Sequence, residues 1–193
     1  LMRPRAEGGV LEAKGQVEVV SCLTAEGAPI PNDIRKGVWV CFEGDSEYIR
    51  NCFQEYSVVT DPSGRYMSSY KKWHLIGLEL GISVAAIALR GEPTGVATCF
   101  NADVAATAKK DLKAGDTLDG EGGYTVFGKL TPARTSLAQG YLPLGLAHKV
   151  RLTRPVAKDS CITWADVAID DTLPAVRVRK EQETLYAVEG KRA

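Results

Sequence analysis

The first half of the chain carries two short runs of β-branched and aromatic residues that predict strands. Residues 17–23, VEVVSCL, form the first run, and residues 37–42, GVWVCF, form the second. The second run is almost continuously apolar, which is typical of a strand that is covered on both faces. Residues 1–15 are polar and rich in glycine, so we expect them to be extended or looped.

Helical spacing of apolar positions then appears twice. Apolar side chains between residues 46 and 55 fall on one face of a helix that Asp45 or Ser46 can cap. Residues 74–89 predict a second, more apolar helix. The sequence GEPTG at residues 91–95 follows it, and its glycine and proline end the helix.

The second of these helices contains a ridge of small residues. Gly77, Gly81 and Ala85 recur every four positions, although glycine inside a helix costs about 1 kcal/mol relative to alanine. Such a ridge allows another backbone to approach closely. We therefore expect this helix to be buried and to pack tightly against a sheet or a second helix, with a dimer interface as one location for that contact.

From about residue 101 onward, the chain consists of short β-like segments separated by glycine, aspartate and proline. Residues 110–122 align with residues 154–166 at a constant offset, and each copy has an apolar residue, a turn and a second apolar residue. The matched positions are Leu112 with Val156, Gly115 with Asp159, and Leu118 with Ile162. The alignment predicts two strand–turn–strand units related by pseudo-symmetry, with chance similarity as the alternative. Residues 175–179 alternate in the manner of an exposed strand.

Composition and charge exclude several classes of function. The 193 residues carry 24 basic and 24 acidic side chains, so no basic excess favours nucleic acid or an anionic membrane as a partner. The longest apolar stretch is interrupted by Glu79 and is shorter than the roughly 20 residues that span a bilayer. The five cysteines are odd in number and show no C-x-x-C spacing, which favours a reducing, cytoplasmic compartment. We see no signal-peptide pattern, and the missing initial methionine suggests a piece of a longer protein.

Both halves of the chain resemble known families. In the second half, ATAKKDLKAGDTLD, LPLGLA and VRLTRPVAKDSCITWADV resemble the SAF (antifreeze-like, β-clip) domain. In the first half, EGGVLEAKGQVEVVSCL, DPSGRYMSSYKKWHLIGLELGISVA and LRGEPTG resemble the catalytic domain of homoserine dehydrogenase-like oxidoreductases. They are most similar to the deoxyxylulose phosphate reductoisomerase-like group, which carries a C-terminal SAF domain.

The resemblance implies an α+β protein with three parts. Residues 1–102 would be part of a catalytic α/β domain, residues 103–170 an SAF β-clip domain, and residues 171–193 a tail with a returning strand. Enzymes of this kind begin with an NAD(P)-binding Rossmann domain, whereas no G-x-G-x-x-G follows a predicted strand in this sequence.

This resemblance implies the C-terminal part of an NADP- or NAD-dependent oxidoreductase that acts on a small phosphorylated or carboxylated metabolite. Because the Rossmann domain is absent, we expect the chain alone to bind no dinucleotide and to be inactive. The expected partners are the substrate, the Rossmann domain and a second copy in a homo-oligomer. One alternative is a stand-alone SAF module that binds a carbohydrate or sugar acid, and another is a secreted assembly protein with an SAF domain.

The strongest candidate for substrate binding is YKKWH at residues 70–74. Lys71, Lys72 and His74 precede the predicted helix, where exposed N–H groups and cations together suit a phosphate or carboxylate. Two solvated lysines and a neutral histidine are the alternative. Glu79, within the helix, is either a general acid or base with a raised pKa or a structural residue that pairs with an arginine of a neighbouring element or faces water.

Other candidate residues lie in loops. Arg65, in the predicted turn TDPSGRY, suits bidentate binding of phosphate or carboxylate, although an exposed arginine in a turn is also common. Gly91 and Gly95 correspond by resemblance to a loop that contacts the cofactor. His148 is predicted at a strand edge or on the surface. No grouping has metal-ligand spacing, so a divalent ion bound with the substrate has no residues that select it.

Overall fold

The computed structural model describes residues 2–33, 37–73 and 75–189, the last three without their side chains. The chain divides into two compact units, Leu1–Ala97 and Thr98–Ala193, which we call the N-terminal and C-terminal units. Each unit contains helices and strands, as the expected α+β class requires. No helix in the described ranges is both long enough and apolar enough to cross a membrane.

The N-terminal unit is built around a two-stranded antiparallel sheet. Strand β1 (Val38–Glu43) pairs with strand β2 (Tyr66–Lys71), and helix α1 (Glu47–Glu55) lies between them in the chain. Ser46 caps α1, because its hydroxyl accepts a hydrogen bond from the backbone N–H of Ile49 at 3.3 Å. The predicted strand at residues 37–42 and the predicted capped helix are therefore confirmed.

The strand predicted at residues 17–23 is wrong. Residues 17–20 have no strand partner among the described residues, and Leu23 makes only an isolated bridge with Pro29. Val17 and Val19 are exposed. A β-branched sequence favours extended backbone, but a strand also needs a neighbouring chain to take its N–H and C=O groups.

Helix α2 (Ile76–Arg90) begins two residues later than predicted and ends as predicted. Gly91 adopts the left-handed conformation with φ 68°, and its N–H donates to the carbonyl of Ile87 at 3.0 Å. Tyr70 and Lys71, which were predicted to lead directly into the helix, instead end strand β2.

The predicted burial of α2 and β1 is wrong within this chain. Ala86 is the buried residue of α2, whereas Leu78 and Ile82 are 73% and 65% exposed. A Cβ atom built on Gly77 or Gly81 would meet nothing within 4 Å. Val38, Val40 and Phe42 of β1 are likewise exposed. An apolar sequence can only be buried where other elements cover it, and the described residues of this unit supply no such cover.

The C-terminal unit contains two small antiparallel sheets and two helices. Strand β3 (Ala102–Ala108) pairs with β5 (Val126–Pro132). In the second sheet, β4 (Thr117–Asp119), β6 (His148–Leu152) and β7 (Val167–Ala168) lie in that order. The helices are α3 (Ala133–Gln139) and α4 (Pro174–Glu189).

The internal repeat is confirmed by reciprocal contacts at its centre. The N–H of Leu112 donates to the carbonyl of Val156 at 2.9 Å, and the N–H of Val156 donates to the carbonyl of Leu112 at 3.0 Å. The second apolar position of each copy, Leu118 and Ile162, is fully buried. The two copies therefore pack against each other about a pseudo-twofold axis.

The turn positions of the repeat are equivalent as well. Gly115 and Asp159 both adopt positive φ, at 91° and 64°. The N–H of Gly115 donates to the carbonyl of Leu152 at 2.8 Å, and the N–H of Asp159 donates to the carbonyl of Ala108 at 2.9 Å. Since both acceptors are related by the same offset as the donors, the hydrogen-bond pattern repeats along with the sequence.

The apolar core of the C-terminal unit is made by both copies of the repeat and by residues before, between and after them. Its buried members are Ala106, Ala108, Leu112, Leu118, Val126, Leu142, Ala147, Val150, Leu152, Val156, Ile162 and Val167. This unit therefore closes a core from its own residues.

The strand predicted at residues 175–179 is wrong, because this segment begins α4. The short alternation of valine and arginine resembles a strand, but the contacts made by α4 follow helical spacing. Val176 is buried, and Arg179 and Glu183 interact with each other as an i,i+4 pair. The helix-favouring residues that follow in the chain extend the same pattern.

Candidate functional site

The predicted substrate-binding residues lie at the two ends of strand β2. Arg65 immediately precedes the strand, Lys71 ends it, and Lys72 follows. Both ends lie in the N-terminal unit. His74 lies outside the described residues.

A rigid turn positions Arg65. The carboxylate of Asp61, only 6% exposed, accepts hydrogen bonds from the N–H of Ser63 at 3.2 Å, the Ser63 hydroxyl at 2.8 Å and the N–H of Tyr66 at 3.0 Å. Burial by itself raises the pKa of Asp61, but these hydrogen bonds outweigh it and hold the pKa below its ordinary value. The predicted turn is confirmed, and an ionised Asp61 fixes its shape.

The guanidinium group of Arg65 already has carboxylate partners. Its Nη2 and Nε lie 2.6 and 2.9 Å from Oε1 of Glu43, and Nη1 lies 3.7 Å from Glu7. It also lies over the ring of Tyr66, 5.1 Å from the centroid. The hydrogen bond with Glu43 raises the pKa of Arg65 further, so the group is a fixed cation. An incoming anion would have to compete with Glu43 and Glu7.

At the other end of β2, Lys71 forms an ion pair with Glu79 in the first turn of α2. This contact supports the structural interpretation of Glu79 over a role as a general acid or base. Lys72 is exposed, and its ammonium group lies 5.2 Å from the centroid of the Trp73 ring. Lys72 is therefore better placed than Lys71 to meet a ligand.

These residues do not converge on one small anion. Arg65 and Lys71 are six residues apart along an extended strand, which separates their Cα atoms by about 20 Å. Gly91 ends α2, about 22 Å from its first residue for a helix of this length. The structure thus brings Lys71 and Lys72 together and leaves Arg65 and Gly91 at separate places. A Cβ atom built on Gly95 would meet nothing within 4 Å.

The described residues do not form a dinucleotide-binding fold. Such a fold requires parallel strands joined by a crossover helix, whose N-terminus receives the pyrophosphate. Every pairing between the named strands of this chain is antiparallel. Within the described part of the chain, no three histidine, cysteine or acidic side chains are grouped so that they could hold a metal ion.

In the C-terminal unit, His148 begins strand β6 and is exposed, which confirms its predicted position. Its Nδ1–H donates to the carbonyl of Asp119 at 3.0 Å. The Asp119 side chain accepts hydrogen bonds from the hydroxyl of Thr125, from the N–H of Tyr124 at 2.5 Å and from the N–H of Thr125 at 3.0 Å. The Thr125 hydroxyl is the largest cause that lowers the pKa of Asp119, to about 2.

Sequence reasoning missed the polar groups that organise this unit. Asp166 forms a capping box with Thr163 and also pairs with Arg154. Its T-x-x-D spacing is a local signal that could have revealed it. The buried pair of Asp103 and Arg179 lies 76 positions apart in the chain and has no such local signal.

Comparison with known families finds a similarity in the first 80 residues of the chain. Residues 1–80 match a family model described as the catalytic domain of oxidoreductase DRL. The match includes Arg65, Lys71, Lys72 and His74, and it ends before Gly91. No curated protein matches the chain at a significant level. The similarity supports the expectation of an oxidoreductase catalytic domain in the first part of the chain.

Proposed function

We propose that this chain is the C-terminal portion of an NAD(P)-dependent oxidoreductase, homoserine dehydrogenase-like or deoxyxylulose phosphate reductoisomerase-like, that acts on a small phosphorylated or carboxylated metabolite. The observation that carries the proposal is the match of residues 1–80 to an oxidoreductase catalytic domain. In this proposal, the N-terminal unit supplies part of the substrate-facing surface, and the C-terminal unit is the SAF module.

The nicotinamide cofactor is bound by another part of the enzyme. The antiparallel strands of this chain do not suit a dinucleotide, so this chain's residues contact the substrate rather than the pyrophosphate. The exposed apolar residues of α2 and β1 fit a catalytic domain that is completed by further protein. The five free cysteines fit a cytoplasmic enzyme.

Within this proposal, Lys72 and His74 bind the anionic group of the substrate. Lys72 is exposed and adjoins the start of α2, where free helix N–H groups favour a negative charge. Lys71 sits beside them but is held by Glu79, so its role is to maintain a positive environment. Arg65 lies about 20 Å away at the opposite end of β2, which is too far for a small metabolite bound by Lys72 to reach, so Arg65 is left out of this substrate site.

A stand-alone SAF module that binds a carbohydrate or sugar acid remains the second proposal for the C-terminal unit. The closed core of that unit is compatible with an independent module. This second proposal gives no account of the oxidoreductase match in residues 1–80. We therefore favour the oxidoreductase.

A cofactor titration tests whether the nicotinamide cofactor is bound outside this chain. NADPH and NADH fluorescence should show no saturable binding to this chain at micromolar concentrations. A longer protein that includes the coding sequence upstream should bind one of the two and oxidise it with substrate. Saturable binding by this chain alone, or an upstream sequence with no G-x-G-x-x-G after a strand, would contradict the proposal.

An anion titration tests the substrate contacts. Phosphate or sulfate should raise the melting temperature of the chain, because a ligand that binds only the folded state stabilises it. The Lys72→Ala/His74→Ala variant should lose this gain. Lys14→Ala, which removes an exposed lysine elsewhere in the same unit, should keep it. An equal gain in the double variant would rule out the anion site.

A further inference from the structure

Helix α4 is attached to the C-terminal unit mainly by polar contacts. The core cluster of that unit contains none of the α4 residues whose side chains the structure describes. Among the described side chains of α4, Val176 is the only buried apolar one, at 1% exposed. Tyr186 adds a ring contact with Phe100 at 5.7 Å between centroids. Apolar burial therefore couples α4 only weakly to the β strands.

Arg179 lies over the Phe100 ring at 5.0 Å and Lys180 over the Trp164 ring at 3.5 Å. A group of polar side chains, which we call the latch, makes further contacts. Arg179 of α4 reaches Asp103 of β3 with two hydrogen bonds, Nη2 to Oδ2 at 2.6 Å and Nη1 to Oδ1 at 3.2 Å, and its Nε donates to Glu183 at 2.9 Å. The side chains of Arg179 and Asp103 are 10% and 7% exposed. The Ser136 hydroxyl donates to Asp103 at 2.5 Å, and Nε1 of Trp164 donates to Glu183 at 3.1 Å.

We propose that α4 is a strap that opens as a unit while the β strands stay folded, and that the latch controls how often it opens. Segments with few buried apolar contacts open at lower free energy than the core of their domain. A bidentate arginine–carboxylate pair is directional, so it holds α4 in one position. Opening exposes the Asp103 carboxylate and the Phe100 ring to solvent.

The charge balance of the latch makes it sensitive to the loss of one partner. Removing one member of a buried ion pair leaves the other charge buried without compensation, which is strongly destabilising. Replacing both members with apolar residues is often neutral, because no charge is then left buried. A single substitution should therefore open the strap, and a paired substitution should close it again.

Native-state hydrogen exchange on the full chain tests whether the strap opens separately. Backbone amides of residues 177–186 should exchange at least about tenfold faster than those of β3 and β5 when exchange proceeds by local opening. Equal protection in α4, β3 and β5 would show that the helix opens only with the whole unit, and the proposal would be wrong.

Variants test whether the latch controls the opening. Arg179→Met should speed exchange in α4 by about 100-fold and leave β3 and β5 within about threefold of the parent chain. Arg177→Met, an exposed arginine two positions away, should change neither. Asp103→Leu/Arg179→Met should return α4 to within about tenfold of the parent chain.

Two outcomes would overturn the role of the latch. One is an equal loss of protection in α4, β3 and β5 of Arg179→Met, which indicates a general loss of stability. The other is a paired variant that exchanges as fast as Arg179→Met in α4. If Arg179→Met does not fold, the exchange pattern of the unsubstituted chain together with the paired variant decides the question.

Discussion

The two units differ in what they do with their apolar residues. In the C-terminal unit, twelve apolar residues form one buried cluster. In the described part of the N-terminal unit, Tyr66 and Ala86 are the only buried hydrophobic residues, and most apolar side chains of α2 and β1 are exposed. Because burial of apolar surface is the main source of folding stability, we expect the C-terminal unit to be stable by itself and the N-terminal unit to depend on further protein.

The contrast has a cause in the chain itself. The C-terminal unit contains both copies of a repeat, so apolar residues of one copy pack against the other, as Leu112 and Val156 do. Helix α2 is apolar around most of its circumference, with Glu79 and Ser83 on one face, and the described part of its unit covers few of its apolar side chains. The unit whose first 80 residues match an oxidoreductase catalytic domain is thus the one that leaves most of its apolar side chains exposed.

Separating the two units should produce the largest effect. Residues 98–193 expressed alone should unfold in one cooperative thermal transition, because their core is complete. Residues 1–97 expressed alone should show no cooperative transition, because too little apolar surface is buried to offset the loss of chain entropy. Circular dichroism and calorimetry measure both.

Either of two results would contradict this difference in stability between the two units. A cooperative transition for residues 1–97 would show that exposed α2 is compatible with a stable fold. A non-cooperative residue 98–193 fragment would show that the repeat does not suffice. The full chain, measured under the same conditions, should display the transition of the C-terminal unit.

Core truncations should sharpen the comparison at single residues. Leu118→Ala and Ile162→Ala each remove a fully buried side chain at equivalent positions and should cost about 2–5 kcal/mol of unfolding free energy. Ile82→Ala in α2 removes a side chain that is 65% exposed and should change it by less than about 0.5 kcal/mol. Urea denaturation monitored by tryptophan fluorescence measures the unfolding free energy of all three variants. A large loss for Ile82→Ala would show that other residues bury this side chain of α2.

Local signals allowed much of the fold to be predicted from the sequence. The cap at Ser46, the helix stop at Gly91 and the turn around Asp61 are set by neighbouring residues, and all three are present. The repeat is a longer-range feature, but similarity between its copies made it visible.

The features that sequence reasoning missed depend on distant parts of the chain. Residues 17–23 have the composition of a strand, and nothing local shows that no neighbour pairs with them. The alternation at residues 175–179 hid a helix whose contacts are made by Arg179 with Asp103. In the candidate site, Lys71 pairs with Glu79 because of the way the chain turns from β2 into α2. The spacing of residues in the sequence did not reveal that turn.

The turns of the repeat provide a smaller test within the C-terminal unit. Gly115→Ala should cost about 1–2 kcal/mol, because a residue with a Cβ atom is strained at φ 91°. Asp159→Gly relieves the same strain at φ 64° but gives the unfolded chain more freedom, so its net effect should stay within about 0.5 kcal/mol. Chemical denaturation measures the unfolding free energy of both variants. If Asp159→Gly costs as much as Gly115→Ala, a left-handed turn at both positions does not explain their stability.

The C-terminal unit should also show an acid dependence that comes from Asp119. The pKa of Asp119 is lowered from 3.8 to about 2 in the folded chain, first by the Thr125 hydroxyl and then by backbone N–H groups. Folding therefore favours the ionised form of Asp119. The stability that this contributes is present above pH 3.8 and is lost as the pH falls toward 2.

The melting temperature of residues 98–193 should decrease less between about pH 4 and pH 2 in the Asp119→Asn variant than in the parent. Asp171→Asn, which changes an exposed aspartate in the same unit, should leave that fall in place. If Asp119→Asn retains the parent acid dependence, the stabilising role of the Asp119 turn is wrong.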